Sequence, residues 1–400
     1  MELEFPAGFF WGAATSAHQV EGGTRNDWGE WEQKKAKSLS QMANGRAWPD
    51  FILKNYPNPL QEENYVSGRA CDHYNRFRED FDIVKSLDHN AHRFSIEWSR
   101  IEPEEGKLDE KEIEHYWEIV KALRQRGLEP FVTLWHWTLP SWVRDIGGWE
   151  NKKTVDHFSR YAAKMAEALG SDVKFWITLN EANVYSGNGY FKGIWPPGKR
   201  SLVKYLRVNH HLSQAHIAAY DFIKEKYPVA QVGVAQNFVH FAGFGAPVRR
   251  YFYNFWFLNS IRRCQDFIGV NYYISDRRAV ERTDMDWPID PDGFYSVLNG
   301  AGRYKKPVYV LENGLADARD SKRADFIKEH IRAMKKAMDG GTDVRGYFYW
   351  SLLDNFEWDK GFWPRFGLVE VDYQTMERKI RPSALEYAKI CKSNSLEIKL

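Results

Sequence analysis

The sequence has few cysteines and no long apolar segment. Its three cysteines, Cys71, Cys264 and Cys391, lie far apart and form no CxxC pair. An odd number at such spacing argues against a disulfide framework and against a cysteine-based metal or redox site. Residues 1–6 lack a basic segment followed by an apolar run, and no stretch approaches the length of a membrane-spanning helix. We therefore expect a cytoplasmic protein without a membrane partner.

The chain also lacks an excess of charge of either sign and the spacings typical of metal or phosphate sites. Lys and Arg total 56 against 54 Asp and Glu, a formal net charge of +2. This balance gives no electrostatic argument for nucleic acid or an anionic membrane surface. His210, His211 and His216 lack the spacing of an HExxH motif and are interpreted as side chains on a helix without a metal-binding role. We expect no metal, no cofactor and no nucleic-acid partner; no oligomeric state is predicted.

Aromatic residues are abundant, at 16% of the chain, with 17 Trp and 21 Tyr. Many lie in loops beside Gly and Pro, as in 134–137 and 193–197. Tryptophan outside a periodic core pattern suits the apolar face of a sugar ring, and its N–H suits a hydroxyl. Packing between loops is the simpler explanation, and it accounts for most of the 17.

Short apolar runs alternate with amphipathic stretches along the chain, which predicts eight strand–helix units. The predicted strands are 9–15, 91–96, 128–134, 173–179, 230–234, 266–270, 308–311 and 344–350. The predicted helices are 72–87, 109–127, 152–169, 201–226, 251–263, 320–339 and 383–392. Residues 22–69 show no sustained period and are predicted to be a surface loop with short helical turns.

Strands that are apolar on both faces indicate a parallel sheet covered by helices, which is the α/β class. Eight such units, with no glycine-rich phosphate loop after the first strand, favour a closed (β/α)8 TIM barrel over a doubly wound sheet. No Ser, Gly or Pro linker divides the chain. We therefore predict one domain over 1–400, a (β/α)8 barrel with long loops after its strands.

Polar and charged residues collect at the carboxyl ends of the predicted strands, where the reactive residues of such barrels lie. Two carboxylates stand out, Glu181 after strand four and Glu312 after strand seven. The neighbouring groups at these ends are His18, Gln19, Glu21, Arg93, His136, Trp137, Asn180, Asn271, Tyr272, Tyr273 and Trp350. Paired carboxyls among hydrogen-bonding groups and aromatic rings fit glycoside cleavage. Taken alone, Glu312 is better explained as a turn cap or an arginine partner than as a catalytic group. Glu97 and Glu102 are most simply structural or solvated.

Seven segments match a known family in their order along the chain. They are 10–16 with 19–22, 93–100, 133–137, 178–181, 268–273, 309–314 and 350–358. Each match is weak alone, but the ordered set is specific. Over nearly its whole length the chain resembles glycoside hydrolase family one, the retaining β-glycosidases.

The resemblance implies that Glu312 is the nucleophile and Glu181 the general acid/base, with carboxyl groups about 5–5.5 Å apart. The anionic Glu312 is expected to raise the pKa of Glu181 and keep it protonated. Arg93 and Tyr273 are expected to hold Glu312 ionised and oriented.

The resemblance also assigns residues to the sugar itself. Those expected at the 2- and 3-hydroxyls are Asn180, Gln19, His136 and Trp137. Those expected at the 4- and 6-hydroxyls and at the ring face are Glu357, Trp358, Trp350 and Phe366. For Arg93, Asn271 and Phe366, packing is an open alternative to direct contact.

The chain departs from the family at two places. Ala182 follows the acid/base where the family usually has proline, which loosens the φ angle of this loop. The segment between strands five and six is shorter than the family norm. We expect both departures to affect local geometry and leaving-group specificity rather than the reaction.

The predicted activity is hydrolysis of terminal β-D-glycosides, namely β-glucosides and also β-galactosides or β-fucosides. The residues do not separate the gluco, galacto, fuco and manno configurations. One alternative is a 6-phospho-β-glycosidase, which Glu357 disfavours because it would repel a phosphate. The other is a catalytically weak sugar-binding relative, which the presence of both carboxylates disfavours.

Overall fold

Eight parallel strands close into a barrel in the computed structural model, which describes residues 2–277 and 281–397. Each strand pairs with the next along the chain, and the last pairs with the first. The barrel strands are β2 (Phe10–Ala14), β3 (Ala91–Ser95), β4 (Glu129–Thr133), β5 (Phe175–Asn180), β6 (Gln231–His240), β7 (Ile268–Ser275), β8 (Val308–Asn313) and β9 (Val344–Trp350). The predicted (β/α)8 barrel is confirmed.

Aromatic side chains fill the interior of the barrel. The rings of Phe131 and Phe175 stack with centroids 4.2 Å apart, and Tyr309 and Phe348 pack against Phe131 from other strands. A barrel of eight strands is just wide enough for side chains to fill it. The packed interior closes the barrel below its upper end, so the functional groups collect above it.

Helices surround the barrel and bury their apolar faces against the outer side of the strands. The longer ones are Asp27–Ala43, His73–Ser86, Glu110–Gln125, Lys153–Leu169, Leu202–Lys226, Pro291–Gly302, Arg323–Asp339 and Pro382–Ser393. None of the described helices combines the length and apolar character needed to cross a membrane.

Two of these helices were not predicted. Asp27–Ala43 replaces part of the predicted surface loop 22–69, and it buries polar as well as apolar residues, which hid its period. Its first turn is capped by Asn26, whose side chain accepts from the backbone N–H of Gly29 at 2.9 Å. Pro291–Gly302 begins with a proline in its first turn after the capping residue Asp290.

The segment between β6 and β7 also differs from the prediction of one helix over 251–263. It is helical from Ala246 to Ser260 and contains a π-helical turn over Tyr251–Phe255. The two flanking strands extend past their predicted ends, β6 to His240 and β7 to Ser275. Their upper halves carry polar residues, so the apolar pattern ended before the strands did.

Two small antiparallel sheets lie outside the barrel. β1 (Glu2–Glu4) pairs with β12 (Ser395–Glu397), and β10 (Val369–Val371) pairs with β11 (Arg378–Ile380). The second sheet follows the loop after β9, which leaves the barrel at the carboxyl ends of its strands. Neither was predicted, because strands of three residues carry too little periodicity.

Candidate active site

A cavity of about 670 Å³ opens at the carboxyl ends of the barrel strands. Ten of the predicted site residues line it: Gln19, His136, Trp137, Glu181, Tyr273, Glu312, Trp350, Glu357, Trp358 and Phe366. Arg93, Asn180 and Asn271 lie directly behind these residues, fully or almost fully buried. The structure therefore brings all thirteen together, ten at the cavity surface and three in support.

Glu312, the last residue but one of β8, accepts hydrogen bonds from two donors. Its Oε1 accepts from Arg93 Nη1 at 2.5 Å, and its Oε2 accepts from the Tyr273 hydroxyl at 2.7 Å. Arg93 is 1% exposed and also donates to the Leu311 carbonyl and to Thr133 Oγ1. A buried cation and a phenol favour the ionised form of a carboxyl and fix its orientation.

Gly314 allows the chain to leave the site immediately after β8. A Cβ at this position would overlap the backbone carbonyl oxygen of Trp350 on the neighbouring strand. Asn313 remains part of β8, where its side chain donates to the Tyr272 carbonyl and accepts from the Tyr347 hydroxyl. The close approach keeps Glu312 and Trp350 side by side.

Asn180, the last residue of β5, connects the two halves of the floor. Its Oδ1 accepts from Arg93 Nη2 at 2.6 Å and from Asn271 Nδ2 at 3.2 Å, which fixes the orientation of the amide. Its Nδ2 therefore donates to His136 Nε2, 3.0 Å away. His136 must then carry its proton on Nδ1, and this atom is buried with no partner in the described chain. Burial holds the pKa of His136 well below its usual range, so the ring is a neutral donor.

Glu181 follows β5 in a left-handed conformation, with φ of 44°, at the start of the helix Ala182–Ser186. Its Oε1 accepts from Asn271 at 2.9 Å and from Asn237 at 3.1 Å. Burial, and next the charge of Glu312, raise the pKa of Glu181 to about 8. The direction agrees with the sequence expectation, but the larger cause is burial rather than Glu312.

The loop after β9 supplies a third carboxyl, Glu357. Burial first, and the charge of Glu312 second, raise its pKa to about 8. The Gln19 Nε2 is engaged by Asn355 Oδ1 at 2.9 Å and the Phe356 carbonyl at 2.8 Å. The Gln19 Oε1 is left buried without a partner among the described residues. Gln19 thus presents an acceptor beside an acid that is protonated at neutral pH.

Indole rings enclose the floor. The ring of Trp358 lies 4.6 Å from that of Trp137 and 5.9 Å from the parallel ring of His136. Trp137 and Trp358 both have positive φ angles, 79° and 50°, a conformation that side chains rarely adopt and that clusters at functional sites. The Trp137 N–H donates to the Asn180 carbonyl at 3.0 Å, so Trp137 offers the cavity its ring.

Asn237 and Tyr253 belong to the site and were missed from the sequence. The Tyr253 hydroxyl donates to Asn237 Oδ1 at 3.1 Å, and Asn237 in turn donates to Glu181. No polar residue was assigned to the end of strand five, because that strand was predicted to stop at residue 234. The polar pair Gln236-Asn237 directly beyond it was the available signal.

Two buried acids outside the cavity are structural. Glu97 accepts from Thr138 Oγ1 at 2.9 Å and from Ser99 Oγ at 2.7 Å, and Glu102 accepts from the Trp98 indole at 3.1 Å. Of the two alternatives left open for them, the solvated one is wrong. Within residues 2–277 and 281–397 no group of three or more potential ligands could hold a metal ion.

The outer wall of the cavity is formed by residues 183–206 and 238–253. Unlike the floor, it is largely apolar, and two π-helical turns contribute to it, Gly187–Lys192 and Tyr251–Phe255. Such turns occur mostly at functional sites. The wall surrounds the path by which a leaving group would exit.

A barrel that presents two buried carboxyls in a single aromatic-walled cavity, one bound by an arginine and a tyrosine and the other with a raised pKa, is the architecture of a glycoside hydrolase. The model of Glycosyl hydrolase family 1 matches residues 1–244 and 275–396. The chain belongs to this family. Residues 245–274, which include the last part of the outer wall and most of β7 with Asn271 and Tyr273, lie outside the match.

Individual relatives agree over the full length. The chain is 34% identical to β-glucosidase A of Thermotoga maritima, with 98% of this chain and 99% of that protein covered. A solved β-glycosidase from Pyrococcus horikoshii superposes with a TM-score of 0.88 at 37% identity, covering 100% of this chain and 97% of the other. The T. maritima β-glucosidase in complex with deoxynojirimycin gives 0.85 at 32% identity, covering 98% and 100%. The predicted class, a β-glucosidase-type glycosyl hydrolase, is confirmed.

Proposed function

We propose that this enzyme removes terminal β-D-glucosyl residues, and also β-galactosyl or β-fucosyl residues, by double displacement. The observation that carries the proposal is the contrast between its two carboxyls. Glu312 is held by a buried arginine and a tyrosine, whereas Glu181 is buried with only amide donors and has a pKa raised to about 8. Glu312 is therefore proposed as the nucleophile and Glu181 as the proton donor.

In the first step the Glu312 carboxylate attacks the anomeric carbon while Glu181 transfers its proton to the departing oxygen. The sugar becomes an ester of Glu312, and the negative charge that helped to raise the pKa of Glu181 disappears. Glu181, now ionised, takes a proton from water, which attacks the ester from the side that the leaving group vacated. Two inversions give net retention.

The unpartnered polar atoms of the floor support specific sugar contacts. The His136 Nδ1–H is a donor and the Gln19 Oε1 an acceptor, and both are proposed to meet the 3-hydroxyl. Glu357 and Trp358 are proposed to meet the 4- and 6-hydroxyls, with Trp350 under the ring and Phe366 beside it. Trp137 is proposed to contribute its ring to the same side.

Three residues are proposed to act mainly through others. Arg93 orients Glu312, Asn271 orients Glu181, and Asn180 fixes the tautomer of His136. One N–H of the Asn180 amide remains after its bond to His136, and it is the group proposed to reach the 2-hydroxyl. Hydrogen bonds at that hydroxyl strengthen in the transition state of such reactions.

Glucose is the proposed main sugar, and galactose is supported by a second observation. A solved β-glucosidase of T. maritima, 32% identical to this chain, carries galacto-hydroximolactam. The 6-phospho alternative is less favoured, because Lys360, a cation that lines the cavity, is paired with Asp359 at 2.8 Å. We further propose one catalytic domain over 1–400 and a cytoplasmic location, in line with the three free cysteines.

A panel of aryl substrates tests the proposal. Hydrolysis rates would be measured for nitrophenyl β-glucoside, β-galactoside, β-fucoside, β-mannoside and 6-phospho-β-glucoside. We expect kcat/KM to be highest for the glucoside or fucoside and lowest for the phosphorylated sugar. A preference for the phosphorylated substrate would overturn the sugar assignment, and binding without turnover of any of the five would overturn the hydrolase assignment.

A further inference from the structure

Exposed apolar side chains are concentrated on one side of the cavity mouth. Of the fourteen large apolar residues with the highest exposure in the described chain, nine lie within 191–206 and 244–252. Phe191, Leu202 and Phe252 line the cavity itself and are each more than half exposed. Exposed apolar clusters of this kind on a folded protein mark interaction surfaces.

The two segments form one continuous surface. The ring of Tyr205 lies 5.8 Å from that of Phe191 and stacks on that of Trp256 at 6.0 Å, which joins the segments. Phe244, fully exposed, and Val248, 61% exposed, extend the surface outward beyond the cavity. We refer to 191–206 and 244–252 as the apolar rim.

Charge of one sign accompanies the apolar rim. The apolar rim contains no Asp or Glu, whereas it carries six cations: Lys192, Lys199, Arg200, Lys204, Arg249 and Arg250. Within the described chain only Lys204 and Arg249 of the six pair with a carboxylate. The net charge of +2 therefore averages a cationic rim with a remainder that is net negative.

Another part of the mouth has the opposite charge. Residues 281–292 contribute Met285 and Trp287 to the cavity, and they carry five carboxylates against one arginine. A surface that attracts the apolar rim through negative charge would repel this segment. The asymmetry gives the mouth a defined orientation toward such a surface.

Together these features match the requirements for binding at the surface of an anionic bilayer. Apolar side chains that insert to the depth of the headgroups, flanked by Lys and Arg, are the usual means by which proteins lie on such membranes. We propose that the apolar rim docks on an anionic lipid bilayer and places the cavity mouth over it. β-Glucosides with an apolar, membrane-embedded aglycone are then the substrate class favoured by this enzyme.

The outer wall is suited to such an aglycone. Most of the side chains that line it are apolar, and Arg249 is engaged by Asp276 and the Ala242 carbonyl, although the Asn183 Oδ1 has no partner among the described residues. A second sugar in this position would need free hydrogen-bonding partners, whereas an alkyl chain needs only apolar contact. Docking is independent of the proposed function, but the choice of aglycone rests on it.

Docking is tested by sedimentation of the full-length protein with vesicles, without any sugar present. We expect strong binding to phosphatidylcholine mixed with an equal part of phosphatidylglycerol, weak binding to phosphatidylcholine alone, and release by added salt. Lys199→Gln and Arg200→Gln should each lower the partition coefficient about fivefold, since a cation near such a surface contributes about 1 kcal/mol. Lys85→Gln and Lys174→Gln, near the starts of β3 and β5 at the other end of the barrel, should have no effect.

The apolar contribution has its own variant and control. Combining Val203→Ser, Phe244→Ser and Val248→Ser should lower the partition coefficient at least about tenfold. Val229→Ser with Leu385→Ser, which removes exposed apolar residues elsewhere, should not. Hydrolysis of soluble nitrophenyl β-glucoside confirms that each variant is folded, because none of the changed residues lines the cavity.

The outcomes separate the possible occupants of the surface. Binding that does not depend on phosphatidylglycerol, or equal losses in the control variants, would overturn the proposal. A further pair of results would also overturn it: the parent protein is a dimer that does not bind vesicles, and a rim variant is a monomer. The surface would then join two copies of the chain. An octyl β-glucoside should be hydrolysed faster in anionic vesicles than in phosphatidylcholine vesicles; equal rates with intact docking would overturn only the aglycone class.

Discussion

The floor and the outer wall of the cavity are built by different means. The floor consists largely of side chains at the ends of barrel strands, and hydrogen bonds between strands hold its central polar groups in place. The hydrogen bonds of three residues, Arg93, Asn180 and Asn271, are enough to connect β3, β5, β7 and β8. The outer wall comes from segments after β5 and around the end of β6, and it relies on apolar contacts and helical turns of irregular geometry.

This difference separates chemistry from selectivity. The floor has little freedom, because hydrogen bonds hold most of its polar groups. The wall lies outside the rigid barrel and contains two π-helical turns. Changes to the floor should therefore alter the reaction, and changes to the wall should alter stability or the choice of leaving group.

The largest effect is expected from removing the nucleophile. Glu312→Ala should reduce kcat for aryl β-glucosides by at least about 10⁴-fold, because no covalent intermediate can form. Added azide should restore part of the activity and give the α-glycosyl azide, which product analysis by NMR would identify. A β-glycosyl azide would contradict the assignment of Glu312.

The next largest effect depends on the leaving group. Glu181→Ala should lower kcat/KM for alkyl β-glucosides by about 10²–10⁴-fold, since a poor leaving group needs a proton. A dinitrophenyl β-glucoside, which leaves without protonation, should lose far less in the same measurement. If both substrates lose equally, Glu181 is not the acid.

The pH dependence of kcat/KM should show a limb near pH 8. Glu181 acts in its protonated form, and its pKa is raised to about 8, so kcat/KM should fall about tenfold per pH unit above this value. Asn237→Ala removes a hydrogen bond that lowers this pKa, so the limb should move to higher pH. Glu357 also has a pKa raised to about 8, and Glu357→Gln serves as the control. If the limb moves in Glu357→Gln and not in Asn237→Ala, the assignment of the limb to Glu181 is contradicted.

The smallest effect is expected where the wall begins. Ala182→Pro places proline at the first position of the helix Ala182–Ser186, where its fixed φ suits the backbone. The free energy of unfolding of this variant should be higher by about 0.4–1 kcal/mol than that of the parent protein, with kcat nearly unchanged. Chemical denaturation and steady-state kinetics would measure the two. A large loss of kcat would show that the left-handed conformation of Glu181 does not tolerate a following proline.

The same contrast explains which parts could be predicted from the sequence. Barrel strands are buried on both sides, so runs such as Val308–Leu311 are visible without knowledge of their neighbours. Because parallel strands end at one edge, Glu181 and Glu312 could be assigned to one site despite 130 intervening positions. Asn237 was missed because β6 continues six residues beyond its apolar part, which only pairing with β7 reveals.

The helices that were missed failed for related reasons. Asp27–Ala43 turns Glu32 and Ser40 inward, where Ser67 donates to Glu32, so its buried face is not apolar in sequence. The hydrogen bond between Asn180 and His136 could not be predicted either, because it depends on the amide orientation that Arg93 and Asn271 impose. Such details follow from tertiary contacts and leave no local pattern.

The position of Arg93 has a consequence for how the enzyme becomes active during folding. Arg93 and Glu312 are separated by 219 residues along the chain, and Asn180 and Asn271 by 91. Contacts of such long range form late, since most of the chain must be ordered before they compensate for the loss of its freedom. A partly closed barrel would have its helices but no oriented nucleophile. Recovery of hydrolysis after dilution from denaturant would thus report the closure of the barrel, and it should lag behind the recovery of helical structure.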